Sequence, residues 1–158
     1  MTSAHHLLSF SLGHQRYALR LSAVERVVRV VEIVPLPHAP DIVMGVINLH
    51  GRIIPTVDTR KRFGLSARRL TLDDHLIIAR TPSRSLALLV DRVNDALECS
   101  PAVVTAAAEI LPDMGYIDGV AKLADGTILI HDLTTFLSLE EAAGLDAAFD
   151  AVEAPHGG

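Results

Sequence analysis

Eight histidines invite a metal hypothesis, but their spacing serves it poorly. His5 and His6 are adjacent near the start of the chain. His14, His38, His50, His75, His131 and His156 fall in separate segments, with no HxH or HxxxH pair to set two imidazoles on one strand or helix face. Scattered surface histidines are the simpler reading, and a hydrolase holding a metal through some of His38, His50, His75 and His131 is the enzymatic alternative. Nucleophilic chemistry fares no better, since there is no G-x-S-x-G elbow and Cys99, beside Ser100-Pro101, has no histidine within several residues. A single cysteine also excludes an intramolecular disulfide and a thiolate cluster within one chain. Gly115, Gly119 and Gly126 are too widely spaced to cradle a phosphate. The acid pairs Asp73-Asp74 and Glu140-Glu141 suit a loop and the first turn of a helix, where negative charge complements the dipole. With two tyrosines, four phenylalanines and no tryptophan, no aromatic platform for bases or sugars is available. The residues therefore point away from catalysis and from a cofactor.

The chain has 158 residues, 49% of them hydrophobic and 21% charged, which suits a globular protein of one domain or two very small ones sharing an interface. Its net charge of −5 argues against a polyanion such as nucleic acid as partner. The one basic cluster, Arg60-Lys61-Arg62 with Arg68-Arg69, reads as a solvated strand end. MTSAHHLLSF lacks the features of a signal peptide, and no apolar run approaches the ~18 residues of a membrane helix. A cytoplasmic protein, reaching membranes only through partners, is the expectation.

Short strands and tight turns must position whatever these residues do. Leu7 to Leu12 and Arg16 to Leu21 alternate around the turn Gly13-His14-Gln15. Ser22 and Glu25 have capping-box spacing and predict a turn of helix, and valine-dense Val27 to Val34 predicts a strand ended by Pro35 and Pro37. Pro40 to Met44 reads as a short helix. Gly45 to Gly64 follows, with apolar runs on both sides of Asn48-Leu49-His50-Gly51-Arg52 that predict a hairpin, and Pro55 places it near a sheet edge. His75 to Ala79 and the unbroken apolar run Leu86 to Val90 predict a second pair of strands, the latter buried on both faces. Ser100 opens an alanine-rich segment to Ile110 that reads as helical, and Ser138 with Glu141 caps a C-terminal helix.

The pattern repeats. A shift of 69 residues carries Ala18-Leu19 onto Ala87-Leu88, and a shift of 74 carries Gly45-Val46 onto Gly119-Val120, Leu49 onto Leu123, Ile54 onto Ile128 and Asp58 onto Asp132. A period this long predicts two copies of a small all-β unit, each closed into a barrel to remove its exposed edges.

Gly45 to Gly64 resembles the signature of the CheW-like coupling proteins of bacterial chemotaxis, G-V-I-N-L-R-G-x-I-x-P-V-V-D-L-R-x-x-F-G. The matching residues are Gly45, Val46, Ile47, Asn48, Leu49, Gly51, Ile53, Pro55, Val57, Asp58, Arg60, Phe63 and Gly64. The likeness extends through Val90-Asp91-Arg92-Val93 and through Tyr116-Ile117-Asp118-Gly119 to Leu129 and Asp132, so about residues 7 to 140 are covered. The resemblance implies a mainly β fold of two five-stranded SH3-like barrels packed side by side, with short helices and a C-terminal helix. A CheW-like domain over 7–141 would comprise a first barrel over about 13–73 and a second over about 74–135, the N-terminal strand being a candidate addition to the second. Residues 142–158 would be the rest of the helix and a frayed tail.

By the same resemblance the protein is a non-catalytic adaptor without cofactor or metal. Its implied partners are the regulatory domain of a chemotaxis histidine kinase and the cytoplasmic hairpin tip of a chemoreceptor, with neither nucleic acid nor membrane insertion involved. A variant reading keeps the fold and assigns it to a chemosensory pathway with an output other than swimming. The implied receptor groove is Val24, Arg26, Ile47, His50, Ile77 and Val93, and the implied kinase-binding edge is Gly45, Val46, Asn48, Arg52 and Ile53. Two positions depart from the family pattern. His50 stands where the family has arginine, and Arg26 where an acid is frequent, which leaves the usual acid and arginine pairing absent.

Overall fold

The computed structural model describes residues 5–66, 70–82, 84–100, 103–106, 117–123, 126–131, 133 and 137–153. In chain order the strands are β1 (His5–Leu12), β2 (Gln15–Arg20), β3 (Val24–Arg29), β4 (Val43–Leu49), β5 (Arg52–Asp58), β6 (His75–Arg80), β7 (Ser85–Val90), β8 (Arg92–Cys99), β9 (Val104–Ala106), β10 (Ile117–Leu123) and β11 (Gly126–His131). Among the described residues two α-helices join them, α1 (Thr59–Arg62) and α2 (Leu139–Glu153). The strands form a five-stranded sheet, β3-β6-β7-β5-β4, and a six-stranded sheet, β8-β1-β2-β11-β10-β9.

The two sheets repeat one another in register. The shift of 69 residues (18 to 87) takes the pair Leu8↔Leu19 onto Ile77↔Leu88 and the pair Phe10↔Val93 onto Ala79↔Val24. The shift of 74 (45 to 119) takes the β4–β5 hairpin onto β10–β11, bulge included, since pairing slips between Val43 and Gly45 and again between Ile117 and Gly119. Each sheet also joins its two hairpins by a parallel contact, Thr56↔Ala87 in one and Ile130↔Ala18 in the other. Duplication thus holds at the level of hydrogen-bond register.

The expected division near residue 74 does not describe the sheets. β6 and β7 belong with β3, β4 and β5, and β1 and β2 complete the sheet of β8 to β11. The polar stretch 66–74 reads as a linker, yet β6, which follows it, pairs with β3, which precedes it.

Three apolar clusters explain the sequence pattern. Ile47, Leu49, Ile54, Leu76, Ile78 and Ala87 fill the five-stranded unit, and Leu7, Ala18, Cys99, Ala121, Ile128 and Ile130 fill the other. A third cluster joins the sheets, with Leu8, Phe10, Tyr17 and Leu19 from one meeting Val57, Ile77, Ala79, Leu86 and Leu88 from the other. Strands between an interior and this junction are buried on both faces, hence the unbroken Leu86 to Val90. Edge strands β3 and β8 cover one face only and read as VERVVR and RVNDALEC.

Four local expectations are corrected. The valine-rich strand ends at Arg29, after which Val30 donates to Asp74 O at 3.1 Å and Val34 bridges to Val46, so the segment crosses from one sheet edge to the other. The turn after β2 is a 3-10 helix, Leu21–Ala23, without a side-chain cap: Arg20 stands at the N-cap, Ser22 lies inside the turn and Glu25 is engaged elsewhere. Asp41 and Ile42 form a turn, not a helix, before β4. Within the alanine-rich segment Val104–Ala106 pairs with β10 as a strand, while Pro101 and 107–116 lie outside the described residues, as do Arg68, Arg69 and Asp132.

The C-terminal helix begins as expected. Glu141 N–H donates to Ser138 Oγ at 3.0 Å and Ser138 N–H donates to Glu141 Oε1 at 2.9 Å, closing the capping box. Arg62 of α1 reaches the same carboxylate at 2.5 Å, and Leu145 is buried in the junction core.

Candidate partner-binding surface

The β4–β5 hairpin is the most specific stretch of sequence, and its geometry is set by three residues. Gly45, at φ +156, carries no Cβ because one would lie 2.2 Å from Val34 O; the close approach lets Val46 exchange both backbone hydrogen bonds with Val34 at 2.7 and 2.8 Å. Those bonds turn the Val46 amide and carbonyl away from β5. The Val46–Pro55 pair therefore asks no N–H of Pro55, and β7 pairs only from Thr56 onward. Pro55 is accordingly tolerated on the strand next to the edge, and the hairpin lies at a sheet edge as expected, with β4 outermost. At the tip His50 (φ +51) and Gly51 (φ +87) form a two-residue turn, and Asn48 Oδ1 accepts from Gly51 N–H at 2.8 Å.

Alternation then sorts the hairpin. Ile47, Leu49 and Ile54 point into the unit's core, and Asn48, His50, Arg52 and Ile53 face solvent, Ile53 being 52% exposed. Of the expected kinase-binding edge, Asn48, Arg52 and Ile53 are thus presented, Val46 is half-buried and Gly45 is buried against Val34.

The expected receptor groove divides. Val24 and Val93 are partly buried at the rim of the junction core, where the shift of 69 makes them equivalents, and Arg26 and His50 are exposed. Ile47 and Ile77 are core residues, 1% and 0% exposed, and line no surface; each sits on a strand position whose side chain faces inward.

One carboxylate organises the open end of the five-stranded unit. Glu25 accepts from Arg52 Nη1 at 3.0 Å, from Arg80 Nε at 3.3 Å and from Ser85 Oγ, while Arg52 Nη2 reaches Ser85 Oγ at 3.0 Å. The Ser85 hydroxyl first, then Arg52, hold the Glu25 carboxyl at about 2, well below its ordinary value. The clasp spans β3, β5, β6 and β7. It joins an acid and an arginine one and two positions from Arg26 and His50. A charge pair so distant in sequence has no local signature. Beside it Glu25, Arg26, Leu49, His50 and Arg52 line a cavity of about 220 Å3. In the repeated unit Asn94 stands for Glu25 and Gly126 for Arg52, and the matching end opens as a cavity of about 490 Å3 lined by Ser9, Arg16, Asn94 and Leu123 among others.

The histidines of the hydrolase alternative do not converge. His38 lies in a loop, His50 at the hairpin tip, His75 at the start of β6 and His131 at the end of β11; among the described residues no three metal-ligating side chains are grouped. His131 packs between the sheets with Phe10, Tyr17 and Phe63, its ring 4.2 Å from that of Phe63, and burial pushes its pKa down to about 3. Burial likewise pushes the Cys99 thiol up, opposite to what a nucleophile needs. Among the described residues no helix is long and apolar enough to cross a membrane.

Residues 6–141 match the CheW-like domain. A chemotaxis protein CheW of Rhizobium meliloti is 33% identical over 137 residues, covering 85% of this chain and 88% of its own. One of Thermotoga maritima is 39% identical over 87 residues, or 55% of this chain and 57% of its own. The crystal structure of the scaffolding protein TtCheW from Thermoanaerobacter tengcongensis superposes with a TM-score of 0.80 at 29% identity, covering 87% of this chain and 95% of that one.

Proposed function

This chain belongs to the CheW-like domain family, the adaptor and scaffold proteins of chemotaxis, and from that premise we propose that it couples chemoreceptor tips to a histidine kinase. It does so without chemistry of its own. The kinase regulatory domain docks on the β4–β5 hairpin, where Asn48, Arg52 and Ile53 are presented beyond the Val34–Val46 bridge that occupies the outer side of β4. The receptor's helical hairpin lies along Val24 and Val93 at the junction of the sheets, with Arg26 and His50 at the rim. The protein works in the cytoplasm and reaches receptor arrays through these partners.

The observation that carries the reading is the hairpin itself: Ile47, Leu49 and Ile54 are buried and build the unit, while Ile53 is a large apolar side chain left 52% exposed beside Asn48 and Arg52. Titration of the purified chain with the two fragments, a kinase regulatory domain and a soluble receptor tip from the same organism, tests it. Saturable binding to both, with Ile53→Asp weakening the kinase at least tenfold and the receptor less than threefold, is expected. Binding to neither, or an Ile53→Asp variant indistinguishable from the parent, overturns the assignment.

A further inference from the structure

Arg26 is the cation that the clasp leaves over. Glu25 already serves Arg52, Arg80 and Ser85, and among the described residues no carboxylate lies within ion-pair distance of the Arg26 guanidinium. The nearby Arg84 is turned the other way, into Asp146 and over the Phe149 ring of α2. The rim of the 220 Å3 cavity thus carries Arg26 and Arg52 with His50 between the strands, and Arg80 behind, against the single charge of Glu25. Its floor is Leu49, 8% exposed. In a chain of net charge −5 this is a local reversal of sign.

A pocket of this size takes one side chain. An apolar floor with cations on the rim selects a carboxylate carried on a short alkyl stem, with the charge meeting the guanidinium groups and the stem resting on Leu49. The pairing slips between Val24 and Arg26, so an irregularity in β3 sets the pocket immediately beside Val24, the residue at the rim of the sheet junction. A helix resting on Val24 therefore passes the mouth of the pocket.

We propose that the cavity between Arg26, His50 and Arg52 is an acidic-side-chain seat that receives a glutamate or aspartate of the receptor's helical hairpin. It rests on the receptor assignment above and adds to it the chemistry of the contact. Arg26 sets the specificity, because, unlike Arg52, it is a permanent cation with no internal carboxylate to satisfy among the described residues.

The test is titration of a soluble receptor-tip fragment and of the kinase regulatory domain into the parent chain, Arg26→Glu and Arg26→Lys, each at low and at high salt. Arg26→Glu is expected to weaken the receptor at least tenfold and the kinase less than threefold, Arg26→Lys to keep receptor affinity within about threefold, and high salt to weaken the parent more than Arg26→Glu. Receptor affinity unchanged within twofold in Arg26→Glu, or equal losses for both partners, overturns the seat while leaving the adaptor role standing. Failure of the parent chain to bind the receptor fragment at all overturns both, and shows itself in the parent before any variant is read.

Discussion

Arg52 on β5 donates to Glu25 on β3 at 3.0 Å, across two strands that are not neighbours in the sheet. The pair ties edge strand β3 to β5, the strand next to the opposite edge, and, with Ser85 and Arg80, closes one end of the unit.

Removing that carboxylate has a pH signature. Glu25 titrates at about 2 when folded against an ordinary 4.5, so its contribution is complete above about pH 4.5 and is lost as pH falls toward 2. Glu25→Gln is expected to lower stability by about 1 kcal/mol at pH 7, because the partners are largely exposed. Denaturant unfolding at pH 7 and pH 3.5 checks it: the gap between parent and variant should shrink at the lower pH, and a constant gap would show that charge is not what Glu25 contributes.

Gly45→Ala should be the most damaging small substitution in the hairpin. A methyl group there meets Val34 O at 2.2 Å and Val34 C at 2.8 Å, both backbone atoms, so β4 or the 30–34 crossing must move. A loss on the order of 2 to 3 kcal/mol is expected. Gly51→Ala, with open space around it, costs only the positive φ, about 1 kcal/mol. Thermal melts of the two variants rank them, and a Gly51 variant weaker than the Gly45 variant would contradict the packing role.

His131 makes the junction core acid-sensitive. Its pKa falls from 6.5 to about 3 on folding, so both states are neutral above pH 6.5, and below it the unfolded chain gains a proton that the folded chain refuses. Stability therefore drops as pH falls through this window, by at most about 1.4 kcal/mol per unit. His131→Phe keeps a ring among Phe10, Tyr17 and Phe63 and should flatten the dependence between pH 6 and 4, whatever its absolute stability. Chemical denaturation across that range measures the slope, and a slope equal to the parent's would locate the sensitivity elsewhere.

Much of this was readable from residues, because hairpins are local. The Gly45 unit, its echo at Gly119 and the capping box at Ser138 depend on neighbours a few positions apart. The sheets were not readable in the same way. Nothing in residues 66–74 tells that β6 rejoins β3, and edge strand β8 has too few apolar residues to announce itself. The Glu25 clasp joins residues 27, 55 and 60 positions apart, and Ile47 and Ile77 look like groove residues until the interior of the unit is seen to claim them. Alternation tells which residues share a face and not which face a partner covers.

His50→Arg restores a permanent charge at the hairpin tip without disturbing the turn, whose φ of +51 it inherits. A tightening of the receptor complex by threefold or more, with kinase affinity changed by less than twofold, is expected in parallel titrations. Equal effects on both partners would place His50 outside the receptor contact.

The adaptor role itself is tested most directly by co-sedimentation of the kinase with receptor-bearing membranes, with and without this chain. Kinase should pellet only when the chain is present, and an Ile53→Asp, Arg26→Glu double variant should leave it in the supernatant. Kinase that pellets equally in the absence of the chain, or stays soluble in its presence, would contradict the account.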